Sequence, residues 1–214
     1  MSKPQAIIRT IDTSEFEVSE ENGQVMLRFT PIVFNVRSKV LPSMKGNFQE
    51  VITRAAFDGA DKTDIRALFN HDGNMVMGRH REGVNSSTMT FEVDDYCVRA
   101  VCVLPNAEWA KSLAESVKRG DITGCSFRFW ANVNDYSWTR DGDMLIGTLV
   151  KCRTIDDFSV VTYPAYEQTE NSVTVRSLEE FVESETPPMP PNDEPTPEQI
   201  RSKIKLRRLQ FASI

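Results

Sequence analysis

Six of the eleven prolines of this 214-residue chain fall between Pro187 and Pro197. Proline has no backbone donor for a helix or sheet, and the surrounding Ser184 to Glu198 stretch holds almost nothing apolar to bury. Residues 184–199 therefore read as an extended, Pro-rich acidic linker, and the folded domain must be built from residues 1–183. Beyond the linker, Ile200, Ile204 and Phe211 are interspersed with Arg201, Lys203, Lys205, Arg207 and Arg208. This basic tail, 200–214, is too poor in apolar residues to fold alone, and reads either as a solvated terminus or as a docking or cleavage-regulated peptide.

Within the domain the dominant pattern is strand and turn. Gln24 to Phe29 and Pro31 to Val36 are rich in β-branched and aromatic residues. Met89 to Val93 and Cys97 to Val103 flank Asp94-Asp95-Tyr96 as a hairpin, and Phe127 to Tyr136 with Met144 to Cys152 flank Asp141-Gly142-Asp143 as another. One more strand lies in Arg153 to Tyr163, stopped at Pro164. Helices are fewer. Trp109, Leu113 and Val117 recur at helical spacing between Asn106, a candidate cap, and Gly120, a stop. Two shorter helices are expected in Phe48 to Phe57 and Leu178 to Glu183. The expected class is mainly β with peripheral helices (α+β), arranged as a barrel with the helices outside.

Charge and cysteine usage narrow the function classes. A net charge of -6 disfavours binding of nucleic acid through neutralised phosphates. The start, Met1-Ser2-Lys3-Pro4-Gln5-Ala6-Ile7-Ile8, lacks the apolar run of a secretory signal, and no stretch is long enough to cross a bilayer. A cytoplasmic protein with no membrane partner is expected. Cys97, Cys102, Cys125 and Cys152 lack paired Cys-x-x-Cys spacing and have no histidine close by, so they read as free thiols, with no metal site and no cofactor.

The chemistry is concentrated in three places. His71 lies in Ala-Leu-Phe-Asn-His-Asp, Ser126 in Gly-Cys-Ser-Phe, and Asp157 in Ile-Asp-Asp-Phe-Ser. An imidazole, a hydroxyl and a carboxylate are the parts that make a serine attack an amide. A glycine before a serine is also ordinary turn chemistry, and a histidine beside Asp-Gly is commonly a polar loop residue. His80, flanked by Arg79 and Arg81, reads as a surface residue. In a strand, Asp157 shares a face with Ser159 and Val161 while Asp156 points the other way, although the pair also fits a charged bulge in an edge strand.

Four segments in order, Gly46 to Ile52 ahead of Ala56-Phe57, Leu68 to Asp72 ahead of Met77-Gly78-Arg79, Gly124 to Phe127, and Asp157 to Ala165, resemble the prohead (procapsid) maturation proteases of tailed bacteriophages. That family is similar in fold to the herpesvirus assemblin serine proteases, so the resemblance implies a herpesvirus-protease-like β-barrel. It also implies that His71 is the general base and Ser126 the nucleophile. The herpesvirus branch has a second histidine after the serine; none follows Ser126 here, and Asp157, in the acidic position of the family's acid-x-Ser-x-Val-Thr-x-Pro-Ala pattern, would orient His71 instead. Arg128 departs from the small residue usual at its position, as a surface variant or a substrate contact. Cys125 adjoins Ser126, yet the family pattern puts the nucleophile at the serine.

The function so implied is a serine endopeptidase that cleaves scaffold or a capsid-protein extension, and itself, during phage prohead maturation. Its partners would be the major capsid protein and scaffold, and its location the interior of the immature capsid in the host cytoplasm; a homo-oligomer is compatible with the resemblance. The alternative is a noncatalytic capsid-assembly or scaffolding protein that keeps the fold.

Overall fold

In the computed structural model, residues 4–11, 16–163 and 173–185 are described. In chain order they form β1 (Gln5–Ile11), β2 (Glu17–Glu21), β3 (Gln24–Val33), β4 (Phe48–Ile52), α1 (Arg54–Asp58), β5 (Asp64–Phe69), β6 (Asp72–Arg81), β7 (Met89–Val93), β8 (Cys97–Val103), α2 (Glu108–Lys118), β9 (Gly124–Ala131), a 3-10 turn at Val133–Asp135, β10 (Tyr136–Asp141), β11 (Met144–Leu149), β12 (Thr154–Val161) and α3 (Val173–Glu185). The class is mainly β with few helices. The chain divides into two compact units, Met1–Phe181 and Val182–Ile214, and the architecture below is that of the first. Ser184 and Glu185, the first two residues of the expected linker, are the last of α3; the rest of the Pro-rich linker and the basic tail lie outside the described residues, as do Pro164 and Ala165. No helix among the described residues is long and apolar enough to cross a membrane.

The strands make a five-stranded sheet in the order β1-β9-β12-β5-β6, a four-stranded sheet β2-β3-β8-β7 and a three-stranded sheet β10-β11-β4. β12 runs parallel to β5 and antiparallel to β9. Each sheet is open, with β1 and β6 as the outer strands of the largest. The closed barrel expected from the sequence is not found among the described residues. A barrel needs one continuous ladder, whereas these three sheets meet through side-chain packing, as β3 does against β9.

Burial explains why β9 and β12 lie inside the largest sheet. Along β9, Cys125, Phe127, Phe129 and Ala131 are buried on one face and Ser126 on the other. β12 buries Ile155, Phe158 and Val160 together with Asp157 and Ser159. Strands covered on both sides need neighbours for both rows of backbone groups. From Phe158 a chain of tilted and edge-on rings runs through Phe91 (5.8 Å) and Phe57 (6.3 Å) to Phe34 (5.5 Å), a geometry that suits the ring quadrupoles.

Several local expectations change once tertiary contacts are present. Gln24 to Val36, expected as two strands, is one strand to Val33 with a register shift between Phe29 and Ile32; Thr30-Pro31 sits within that shift, where a missing N–H does least harm. Phe48–Ile52, expected to begin a helix, is β4, paired in parallel with Leu145–Leu149, and only Arg54–Asp58 turns helical, capped by the Thr53 side chain accepting from Ala56 N. Phe127 to Tyr136 is likewise not one strand: the 3-10 turn separates β9 from β10. α2 carries the expected apolar stripe, with Ala110, Leu113, Ala114 and Val117 buried, but Ala107 rather than Asn106 occupies its cap. α3 starts at Val173, five residues ahead of expectation.

All four cysteines are buried, and none is in a disulfide. Burial pushes the Cys102 and Cys152 thiols up to about 12, so both are protonated and unreactive at neutral pH. In the smallest sheet, Gly147 lies opposite Trp138, and a Cβ there would stand 2.7 Å from the indole ring. The glycine lets the ring lie flat over the strand. Gly147→Ala should therefore destabilise the protein by about 1–3 kcal/mol through overpacking, read as a lower urea midpoint with an unchanged slope.

Candidate active site

β5 and β6 are joined by Asn70-His71, and both residues have positive φ, 53° and 58°. A two-residue hairpin turn with both central residues left-handed matches the right-handed twist of its strands. Asparagine tolerates that conformation; histidine does so at a small cost. The turn is fastened to the end of β12, where Asn70 N donates to Val160 O at 2.9 Å, Thr162 N donates to Asn70 Oδ1 at 2.9 Å, and Asn70 Nδ2 donates to Thr162 Oγ1 at 3.2 Å. The imidazole next to it is thereby held over the sheet.

His71 Nδ1 lies 2.7 Å from Asp157 Oδ2 and His71 Nε2 lies 2.7 Å from Ser126 Oγ. These contacts join residues 86 and 55 positions apart in sequence. Asp157 is 0% exposed, and its other oxygen, Oδ1, accepts the Ser159 hydroxyl at 2.6 Å. Ser159 Oγ also lies 3.2 Å from His71 Nδ1. A buried carboxylate beside Nδ1 keeps the proton on that nitrogen and leaves Nε2 as an acceptor facing the serine hydroxyl. The arrangement can deprotonate Ser126 and stabilise the imidazolium that results.

Sheet register brings these groups together. Ser159 lies directly opposite Ser126, and Asp157 opposite Arg128, so β9 and β12 present hydroxyls and carboxylate on one face. The parallel pairing of β12 with β5 places the end of β5, and with it the His71 turn, over that face. On its other side Ser126 meets β1, opposite Thr10. Its Oγ lies 3.0 Å from Arg9 O and 3.4 Å from Thr10 Oγ1, and the residue is 0% exposed.

Asp156 does not point away from this face as strand alternation predicts. A register shift between Ile155 and Asp157 lets Asp156 accept from Arg128 Nε at 2.8 Å, Arg128 Nη2 at 3.2 Å and Trp130 Nε1 at 3.0 Å, residues that alternate with Ser126 along β9. The bulge is thus real, but it sits in an interior strand. Arg128 is held by Asp156, whose hydrogen bonds raise the guanidinium pKa further despite its partial burial. Cys125 projects from the opposite face of β9 to Ser126. His80 is half-buried in β6 and packs against the Phe91 ring at 4.8 Å, so it is only partly at the surface where it was expected. Reading the sequence for this chemistry missed Ser159, Thr10 and Arg9. The acid-x-Ser spacing could have signalled Ser159; no local pattern announces the other two.

Residues 11–184 match the model of the Caudovirus prohead serine protease family, and the chain belongs to that family. Among solved structures, one described as the "Structure of the bacteriophage T4 capsid assembly protease, gp21" is similar at 13% identity over 76% of this chain and 100% of that chain, with a TM-score of 0.44. No curated protein matches the chain in sequence.

Two substitutions separate charge from orientation. Asp157→Asn presents an amide donor to Nδ1, moves the proton to Nε2, and should lower kcat for peptide cleavage by about 10³–10⁴-fold with the fold retained. Ser159→Ala removes one hydrogen bond to the carboxylate and should cost about tenfold. Steady-state kinetics with matched circular dichroism would check both; equal activity of Asp157→Asn and wild type would remove Asp157 from the site.

Proposed function

We propose that this chain is a serine endopeptidase of phage prohead maturation, with Ser126 as nucleophile, His71 as general base and Asp157 orienting the imidazole. The observation that carries the reading is the continuous line of contacts from a fully buried carboxylate through both ring nitrogens to one hydroxyl, each at 2.7 Å. Membership of the prohead protease family supports the same reading. A purely structural role has no use for such a line, because burying Asp157 costs desolvation that an apolar residue would avoid.

In this mechanism Ser126 Oγ attacks the scissile carbonyl carbon while its proton passes to His71 Nε2. The tetrahedral intermediate collapses, the peptide C–N bond breaks, and Nε2 returns the proton to the departing amine. Water, deprotonated by the same nitrogen, then hydrolyses the acyl ester and restores the serine. Asp157 stabilises the imidazolium, and Ser159 holds the second carboxylate oxygen. The side chains themselves supply every proton transfer.

The substrates under this reading are scaffold or an extension of the major capsid protein, met inside the immature capsid in the host cytoplasm, with the protease also cutting itself. The basic segment 200–214 suits capture by acidic scaffold or removal by self-cleavage. Co-expression with the major capsid protein and mass spectrometry of the fragments tests this directly. Wild type should yield discrete new termini and Ser126→Ala none; equal processing by both would leave the noncatalytic assembly role as the better account.

A further inference from the structure

The segment carrying Glu50 has no part in the chemistry above, yet it forms a buried ionic centre in the first unit. Glu50 is 3% exposed and pairs with Arg9, itself 6% exposed. Arg9 Nε donates to Glu50 Oε2, and Arg9 Nη2 donates to Glu50 Oε1 at 2.9 Å and to Thr174 Oγ1 at 2.9 Å. Thr174 in turn donates to Tyr136 Oη at 3.0 Å. Burial, and next the charge of Glu50, holds that phenol well above its ordinary pKa and therefore neutral. β4 and α3 thus meet on one guanidinium, and β10 joins them through Thr174.

The backbone of the same residue meets the nucleophile. Arg9 O lies 3.0 Å from Ser126 Oγ, and β1 pairs antiparallel with β9 across the serine, Arg9 opposite Phe127 and Thr10 opposite Ser126. β1 is the outer strand of its sheet. It holds the edge of β9 along which an extended peptide would have to lie to bring a carbonyl to Ser126, since β12 holds the other edge. An arginine therefore sits with its carbonyl at the nucleophile and its side chain in a closed acidic pocket.

We propose that the Glu50–Thr174–Tyr136 pocket is the subsite for a basic side chain on the residue whose carbonyl Ser126 attacks, and that β1 fills it with Arg9 until a substrate strand takes its place along β9. The physical reason is the carboxylate. Glu50 has almost no access to water, so any peptide that displaces β1 must bring a cation to the pocket or leave a buried charge uncompensated. Arginine offers the two-pronged geometry seen with Arg9; lysine offers a point charge. A neutral or acidic residue offers neither. The inference rests on Ser126 being the nucleophile, and it names the substrate class that this nucleophile serves.

Diphenyl phosphonate probes that differ only at the side chain next to phosphorus test it on the full chain. A small fluorophosphonate, which carries no side chain, serves as the control for the nucleophile. The lysine-type probe should label Ser126 at least tenfold faster than the leucine- or glutamate-type probe, and Ser126→Ala should abolish all labelling. Glu50→Gln should erase the preference for the basic probe, read as the ratio of lysine-type to leucine-type labelling within that variant. Arg9→Gln, which weakens the hold on β1, should speed labelling by the lysine-type probe severalfold. Equal or faster labelling of wild type by the leucine- or glutamate-type probe overturns the pocket assignment, without need of any variant. Unchanged rates in Arg9→Gln overturn the role of β1. Failure of the fluorophosphonate on wild type and on Arg9→Gln alike would instead remove Ser126 as nucleophile, and the pocket assignment with it.

Discussion

Asp157 is a carboxylate with no contact with water, and the site is organised around satisfying it. Stripped of hydration, its charge must be met by donors in fixed positions. The two nearest are the Ser159 hydroxyl on Oδ1 and His71 Nδ1 on Oδ2. Meeting the second demand fixes the imidazole's tautomer and aims Nε2 at Ser126. The alignment of the three side chains is thus a consequence of where one buried charge finds its partners.

Rigid elements hold each participant. Ser126 and Ser159 face one another across a ladder inside the largest sheet, and the Asn70-His71 turn is fastened by Asn70 to the strand that carries Asp157. Sites built on paired strands hold distances better than sites on long loops. The cost is a histidine in the left-handed region, tolerated because neighbouring hydrogen bonds fix the turn. β1 completes the enclosure, and the Arg9–Glu50 pair ties that strand to the three-stranded sheet and to α3. Breaking such a buried pair by removing one partner costs about 3–5 kcal/mol in comparable cases, enough to make the occupant of that pocket selective.

Much of the candidate site was legible in the sequence. His71, Ser126 and Asp157 stand out as the residue types that acyl transfer needs, and Asp141-Gly142-Asp143 marks a hairpin that β10 and β11 form. The apolar spacing along α2 also reads directly, because a helix buries residues close in sequence. Phe48, Val51 and Ile52 are a different case: their spacing fits a helix, and only the parallel ladder with Leu145–Leu149 makes them a strand. Asp156 was placed on the wrong face because the bulge beside it resets the alternation. The strand Gln5–Ile11 carried no periodic signal of its own, and its role depends on an edge of β9 more than a hundred residues away.

What the sequence by itself determined is the set of reactive groups, the mainly β character and the local turns, all of which depend on residue type and near neighbours. The tertiary structure decided which groups meet. Contacts between residues 41, 86 or 165 positions apart follow from sheet order and register, and these minimise the energy of the whole buried network, not of any segment within it. That is why His71, Ser126 and Asp157 could be singled out from the chain alone, while the strand beside Ser126 and the buried Arg9–Glu50 pair could not.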